Sequence, residues 1–170
     1  FSINGMDLVQ CLRDTVELVS GIAAEQEVTL EIDNSLTSAT VLGNADRVGQ
    51  VITNFASNAI KYSPKGGTVK FSIAQDDGSI VFSVKDQGPG IAPEQQRVLF
   101  KPFSQARAGD GSKRPGTGLG LAIVAAILQR LEYPIGVTSE VGAGSTFSFR
   151  VPAHLVIQTQ TSCKRRTGTI

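Results

Sequence analysis

Residues Asn44 to Pro64 read NADRVGQVITNFASNAIKYSP, and the fold turns on whether this stretch is one helix. At about 100° per residue, Val48, Val51, Ile52, Phe55, Ala59 and Ile60 crowd one sector of the wheel, while Asn54, Asn58 and Lys61 fall within roughly 60° of one another beside it. An amphipathic helix is expected, with Asp46 capping its start. Ser63-Pro64 should end it, because a residue before proline is pushed out of helical conformation. Two carboxamides and an ammonium then share one stripe. That stripe is either a site or merely the wet face that every surface helix has.

The flanking chain supplies layers for this helix to pack on. Leu8, Val9, Leu12, Val16, Val19 and Ile22 recur at helical spacing, with Asp7 near the start. Val28, Leu30 and Ile32 then alternate with polar residues, as in a strand with one buried face, and residues 39–42 make a short second strand. Val69, Phe71 and Ile73 lead through Asp76-Asp77-Gly78 to Ile80, Phe82 and Val84, a β-hairpin pattern. Residues 93–100 read as a short helix with Pro93 in its first turn, 119–131 as an apolar helix, and 135–139 and 146–151 as strands around Gly142-Ala143-Gly144. Between Ser104 and Gly116, SQARAGDGSKRPG has almost nothing to bury, so a lid or a disordered segment is expected. The order describes a helical layer on one face of a mixed, largely antiparallel sheet. After Pro152, HLVIQTQTSCKRRTGTI starts by alternating and ends basic and polar, an end expected to fray.

Bulk properties narrow the class. With 170 residues, 41% apolar and a net charge of +1, the chain fits one domain and gives no general reason to expect nucleic acid or an anionic membrane as partner. It has no apolar run of about 18 residues and no basic signal-peptide start, so a soluble piece is expected. The non-Met start suggests a fragment. Cys11 and Cys163 lie far apart with no CxxC and one histidine, which argues against a zinc site or disulfide framework and makes a reducing cytoplasmic setting the default.

Two glycine-rich stretches carry candidate chemistry. Asp86-Gln87-Gly88-Pro89-Gly90 stands where a buried strand stops; its carboxylate is a fixed acceptor suited to an exocyclic amino group, and its glycines let a ligand approach the backbone. A plain tight turn is the alternative. Gly116-Thr117-Gly118-Leu119-Gly120 opens an apolar helix, where bare backbone N–H groups and the dipole favour phosphate. No strand leads into it and no GxxxxGK[ST] loop is present, so neither a dinucleotide fingerprint nor a Walker site fits. Phe100-Lys101-Pro102-Phe103 reads as core anchoring for the lid, and Lys113 and Arg114 as solvated charges or mobile phosphate contacts.

NFASNAIKYSP, DQGPGI, LFKPFSQA and GTGLGLAIV, in this order and at this spacing, resemble the asparagine box, first glycine box, phenylalanine box and second glycine box of the ATP-binding domain of sensor histidine kinases. That superfamily includes DNA gyrase, the heat-shock chaperone and the mismatch-repair ATPase. GAGSTFSFRVP resembles the family's closing hairpin, so the likeness runs roughly from Leu8 to Pro152. It implies a two-layer α/β sandwich, the Bergerat fold, with an ATP-binding domain over residues 1–153 and a C-terminal extension or tail over 154–170. It also implies Mg-ATP bound between the asparagine-box helix and the lid. By motif position, Asn58 would be the magnesium ligand, with Asn54 beside it on the metal and phosphate side. Lys61 would meet phosphate and Tyr62 would pack near adenine. Asp86 would accept the adenine amino group, with Gly88, Gly90 and Ile91 lining that end and Thr146 supporting it. Lys113, Arg114, Gly116, Thr117, Gly118, Leu119 and Gly120 would close on the phosphates. Lys61 and Asn54 are thus the residues nearest the chemistry.

The implied activity is γ-phosphoryl transfer from Mg-ATP to a histidine on a separate dimerisation domain lacking here, with a response regulator downstream. The implied setting is cytoplasmic, whether or not the full-length kinase is membrane-anchored. Asn54 stands where the superfamily's ATPases have a glutamate that activates water, and an amide cannot take a proton, so hydrolysis should be feeble. The chain alone should bind ATP without phosphorylating itself. His154, in VPAHL with no acidic neighbour, fits a surface or capping residue. Glu132-Tyr133-Pro134 replaces the family's frequent Gly-Gly, so that turn should differ. A lone-domain serine kinase of the anti-sigma type and a degenerate docking module remain alternatives; a gyrase-like ATPase is disfavoured by Asn54.

Overall fold

The computed structural model describes residues 1–101 and 120–161. The opening stretch is a single helix, α2, over Ala45–Tyr62. Its cap is Asn44, whose side chain accepts the Arg47 N–H at 3.0 Å, and not Asp46 as expected. Asp46 lies within the first turn, where its charge suits the positive end of the helix dipole. Ser63 leaves the helix in extended conformation, as the residue before Pro64 must. Val48, Val51, Ile52, Phe55, Ala56, Ala59 and Ile60 are all buried. Each large apolar side chain so buried contributes about 1.5–3 kcal/mol, against about 1 kcal/mol for the cap, so packing rather than capping holds the helix.

Around it run β1 (Asn4–Asp7), α1 (Leu8–Glu25), β2 (Thr29–Asn34), β3 (Leu36–Gly43), β4 (Thr68–Asp76), β5 (Ser79–Lys85), α3 (Pro93–Gln96), α4 (Gly120–Leu131), β6 (Ile135–Glu140), β7 (Gly144–Val151) and β8 (Val156–Thr161). A five-stranded sheet has the order β2-β4-β5-β7-β6, with β2 parallel to β4 and the other pairs antiparallel. A second, three-stranded antiparallel sheet has the order β1-β3-β8. The expected mixed sheet under a helical layer is present. The second sheet was not expected, because β1 is too short to show a period and β8 meets its partner β3 only across the whole domain.

The large sheet buries one face. Ile73, Phe82 and Phe149 stand side by side in one row, and Phe71, Val84 and Phe147 in the next. Phe82 stacks on Phe149 at 5.0 Å between ring centroids, and Phe55 of α2 meets Phe147 at 5.5 Å, joining the layers. α2 in turn packs against α1 and α4. The Asp77-Gly78 turn of the β4–β5 hairpin has both residues at positive φ, the primed-turn form that matches strand twist.

Three boundaries differ from the sequence expectation. Ile32 is 44% exposed rather than part of a buried face, because β2 is an edge strand at the rim of the helical cover. The helix expected over 93–100 is only Pro93–Gln96; beyond it Val98 and Lys101 donate to carbonyls three residues back, giving tight turns up to Lys101. The chain past Ala153, expected as an extension, forms a 3₁₀ turn and then β8, which pairs with β3 from Leu36 to Val41. The lid expected over 104–116 and the basic end over 162–170 lie outside the described residues.

Candidate functional site

Asp86 follows the last residue of β5 and is 2% exposed. A buried carboxylate is costly unless its charge is met, and here the backbone meets it: Oδ1 accepts the N–H groups of Gly88 at 2.9 Å and Ser145 at 3.2 Å. The Asp86 N–H donates in turn to the Ser145 carbonyl at 2.9 Å, fixing the residue to β7. A carboxylate accepts at about four positions, so one such group can meet several donors at once. Gly88 sits where a Cβ would come within 2.7 Å of the Tyr62 carbonyl, so the glycine lets the end of α2 close on this loop. Gly90 has φ +75°, and a Cβ there would run into the Glu140 carbonyl. Ile91, next along, is fully buried.

α2 extends the site away from Asp86. Asn54 and Asn58 are half-buried one turn apart, Tyr62 is half-buried a further turn on, and Lys61 is exposed beside it. Asparagine is a poor choice inside a helix, about 0.5 kcal/mol worse than alanine at each position, so two of them on one half-buried face are not explained by helix stability. Gly120, the first residue of α4, lies against Asn54; a Cβ on it would stand 2.9 Å from the Asn54 Oδ1. One edge of α2 therefore connects the start of α4, through Asn54 and Asn58, to the Asp86 loop at Tyr62. Carboxamide oxygens and a glycine helix start toward one end, with the Lys61 ammonium and a buried carboxylate toward the other, form a surface that can take a charged group and a hydrogen-bond donor on one elongated ligand.

Thr146 does not share the sheet face of Ser145 and Phe147. It pairs with Lys85 and Thr138 and alternates with the buried Ser145 and Phe147, so it projects to the opposite face of the sheet. The Ser145 backbone N–H is the group beside Asp86, and a shift of one residue along a strand changes the face presented. Lys113, Arg114, Gly116, Thr117, Gly118 and Leu119 lie outside the described residues, as does Phe103. Phe100 packs edge-on to Phe147 at 6.4 Å. His154 is exposed in the 3₁₀ turn.

Several contributors carried no obvious signal. Ser139, Ser145 and Gln96 bind the Asp86 loop to the β6–β7 hairpin, and Gln87 Oε1 accepts the Thr68 N–H at 2.8 Å. The altered turn at Glu132-Tyr133-Pro134 is built by Glu132 at φ +62° and by buried Tyr133, whose hydroxyl donates to the Leu42 carbonyl at 2.6 Å. Burial pushes the Tyr133 phenol up to about 12. Burial, with Asp14, Asp46 and Asp7 nearby, pushes the Cys11 thiol up to about 11, so it is not poised as a nucleophile. Among the described residues no helix is long and apolar enough to cross a membrane.

Residues 43–155 match the family described as histidine kinase-, DNA gyrase B- and HSP90-like ATPases. Sensor histidine kinase RppB of Synechocystis is 34% identical over 146 residues, which cover 84% of this chain and 32% of RppB. The structure of full-length ShkA in complex with AMPPNP superposes with a TM-score of 0.77 at 33% identity, over 95% of this chain and 32% of ShkA. Histidine kinase ThkA, solved in complex with the response regulator protein TrrA, shares the fold at a TM-score of 0.73 and 22% identity, over 89% of this chain and 42% of ThkA. The chain spans about a third of the length of RppB and of ShkA. By the matched span, which includes α2, the Asp86 loop and the β6–β7 hairpin, the chain belongs to the family of histidine kinase-, DNA gyrase B- and HSP90-like ATPases.

Proposed function

We propose that this domain binds Mg-ATP along the edge of α2 and, within a complete sensor histidine kinase, presents the γ-phosphoryl group to a histidine nitrogen on a separate dimerisation domain. The observation that carries the reading is the buried Asp86 carboxylate, held by two backbone N–H groups at one end of a polar helix edge whose other end meets Gly120. Asp86 accepts a hydrogen bond from the adenine amino group, Gly88, Gly90 and Ile91 line the space beside it, and Tyr62 packs near the ring. The carboxamides of Asn58 and Asn54 fit magnesium, a hard cation that takes few protein oxygens and fills its sphere with water and phosphate. Asn58 would hold the ion, which when bound neutralises phosphate charge.

Lys61, exposed at the end of α2, reaches the phosphates as a point charge. Gly120, against Asn54, leaves the start of α4 open to them. In the transfer the bond from the γ-phosphorus to the ADP oxygen breaks as a bond to the histidine nitrogen forms, and this domain contributes positioning and charge rather than a base. Asn54 cannot accept a proton, so water is not activated and the nucleotide is kept for the histidine. The relatives named as sensor histidine kinases support the reaction, and the ThkA–TrrA complex supports a response regulator as the downstream partner.

Titration calorimetry of the chain with ADP and a non-hydrolysable ATP analogue, with and without magnesium, tests this reading. Binding that prefers adenine and tightens with magnesium is expected. A folded sample that binds neither nucleotide refutes it and leaves a docking module.

A further inference from the structure

We propose that Ser139 is a positioning residue for adenine recognition: its hydroxyl locks the loop after Asp86 to the β6–β7 hairpin and so fixes the carboxylate that reads the base. The inference rests on the nucleotide reading above. Ser139 Oγ accepts the Ile91 N–H at 2.8 Å, donates to the Gly144 carbonyl at 3.0 Å and stands 2.8 Å from Ser145 Oγ. A hydroxyl has one hydrogen and two lone pairs. With its hydrogen committed to Gly144, Ser139 must accept from Ser145, and its capacity is then full. The three partners are the end of the Asp86 loop, the hairpin turn, and the residue whose N–H holds Asp86 Oδ1.

Two further ties run parallel to this one. The Gly142 N–H donates to the Pro89 carbonyl at 2.8 Å, and Gln96 Nε2 donates to the carbonyls of Ile91 at 2.8 Å and Ser139 at 3.1 Å. These keep the loop attached, but neither reaches Asp86 or Ser145. Among the described residues, only the Ser139 hydroxyl links the far end of the loop to the group beside the carboxylate. Removing it strands the buried Ser145 hydroxyl and the Ile91 N–H and lets the Ser145 backbone shift relative to Asp86. The space beside Gly90 follows, since it is bounded by Glu140 of the same strand.

The test compares the parent chain with Ser139→Ala, Ser139→Thr and Ser145→Ala, measuring calorimetric affinity for ADP and GDP together with thermal melting. Ser139→Ala is expected to weaken ADP about tenfold while GDP changes little, so that adenine selectivity falls by a similar factor; this follows from losing one net hydrogen bond and stranding its partners. Ser139→Thr, which keeps the hydroxyl, should restore most of the ADP affinity. Ser145→Ala should show a smaller change in the same direction, and carries the test if Ser139→Ala does not fold. Magnesium dependence should be unaltered. Parent-like ADP affinity and selectivity in Ser139→Ala, or equal losses for ADP and GDP that track the melting temperature, would overturn the positioning role. A parent chain that binds no adenine nucleotide would instead remove the reading on which it rests.

Discussion

Replacing Asp86 by asparagine separates recognition from stability at one atom. Asp86 is 2% exposed, and its Oδ1 accepts from the N–H groups of Gly88 and Ser145. Asparagine keeps an oxygen of the same shape for both donors, so the loop retains its backbone bonds. The other carboxylate oxygen becomes an NH₂ group, which offers hydrogens to an adenine amino group that also offers hydrogens. A hydrogen bond to a charged acceptor contributes about 1.5–3 kcal/mol, and each 1.4 kcal/mol is a factor of ten, so ADP affinity should fall about 10- to 100-fold. Guanine carries a carbonyl at the corresponding position, and the new NH₂ group suits it.

The assay is calorimetry with ADP and GDP on Asp86→Asn and the parent, with a thermal melt of each. ADP should weaken while GDP is unchanged or tightens, and the melting temperature should move little. Asp86→Ala provides the contrast. It strands two buried N–H groups at about 1–3 kcal/mol each, so that variant should melt well below the parent. An equal loss of ADP and GDP in Asp86→Asn, with the melt unchanged, would refute a direct bond between the carboxylate and the base.

Asn58→Ala should abolish the magnesium-dependent gain in ATP-analogue affinity and leave the metal-free affinity and the melt nearly unchanged, because the half-buried side chain is not part of the core; calorimetry with and without magnesium checks it. Gly90→Ala at φ +75° adds at least about 1–2 kcal/mol of backbone strain before the collision with Glu140 is counted, so denaturant melts should show lower stability and ADP binding should weaken with it. Tyr133→Phe removes the bond to Leu42, a loss of about 1 kcal/mol at pH 7. With the folded phenol raised to about 12, the parent keeps a proton that the unfolded chain releases from pH 10 upward, and so loses stability from there to pH 12. Denaturant melts across that range should fall less steeply for Tyr133→Phe, which has no phenol to titrate. Cys11 contributes a loss of the same sign as pH rises from 9 to 11 and remains in both chains.

What could be read from the residues alone has a physical pattern. α2 was legible because seven buried side chains at a 3.6-residue period leave a strong local signature, and the β4–β5 hairpin because an Asp-Gly turn sits between two alternating runs. The cap moved from Asp46 to Asn44 because both residue types cap well and only the backbone geometry distinguishes them. β8 stayed hidden because its partner β3 is more than a hundred residues earlier in the chain, a pairing that no local period encodes.

The candidate site divides along the same line. Asp86, Asn54, Asn58 and the glycines are recognisable because each would meet a ligand with its own chemistry, or with its own lack of a side chain. Ser139 and Ser145 meet only other parts of the protein, and the contacts that matter span 48 residues to Ile91 and 59 to Asp86. A serine in an alternating strand has no feature that distinguishes a structural lock from a solvated hydroxyl. The contrast between Ser145 and Thr146 has the same origin, since GAGST offers two adjacent hydroxyls and only the pleat of β7 decides that the Ser145 hydroxyl meets Ser139. The ligand-facing shell of such a site is therefore local information, and the shell that holds it is topological. The Ser139 variants are for that reason the more demanding test of the fold: their effect on adenine selectivity depends on a register that pairs Ser139 with Ser145, and a slip of one residue would abolish it.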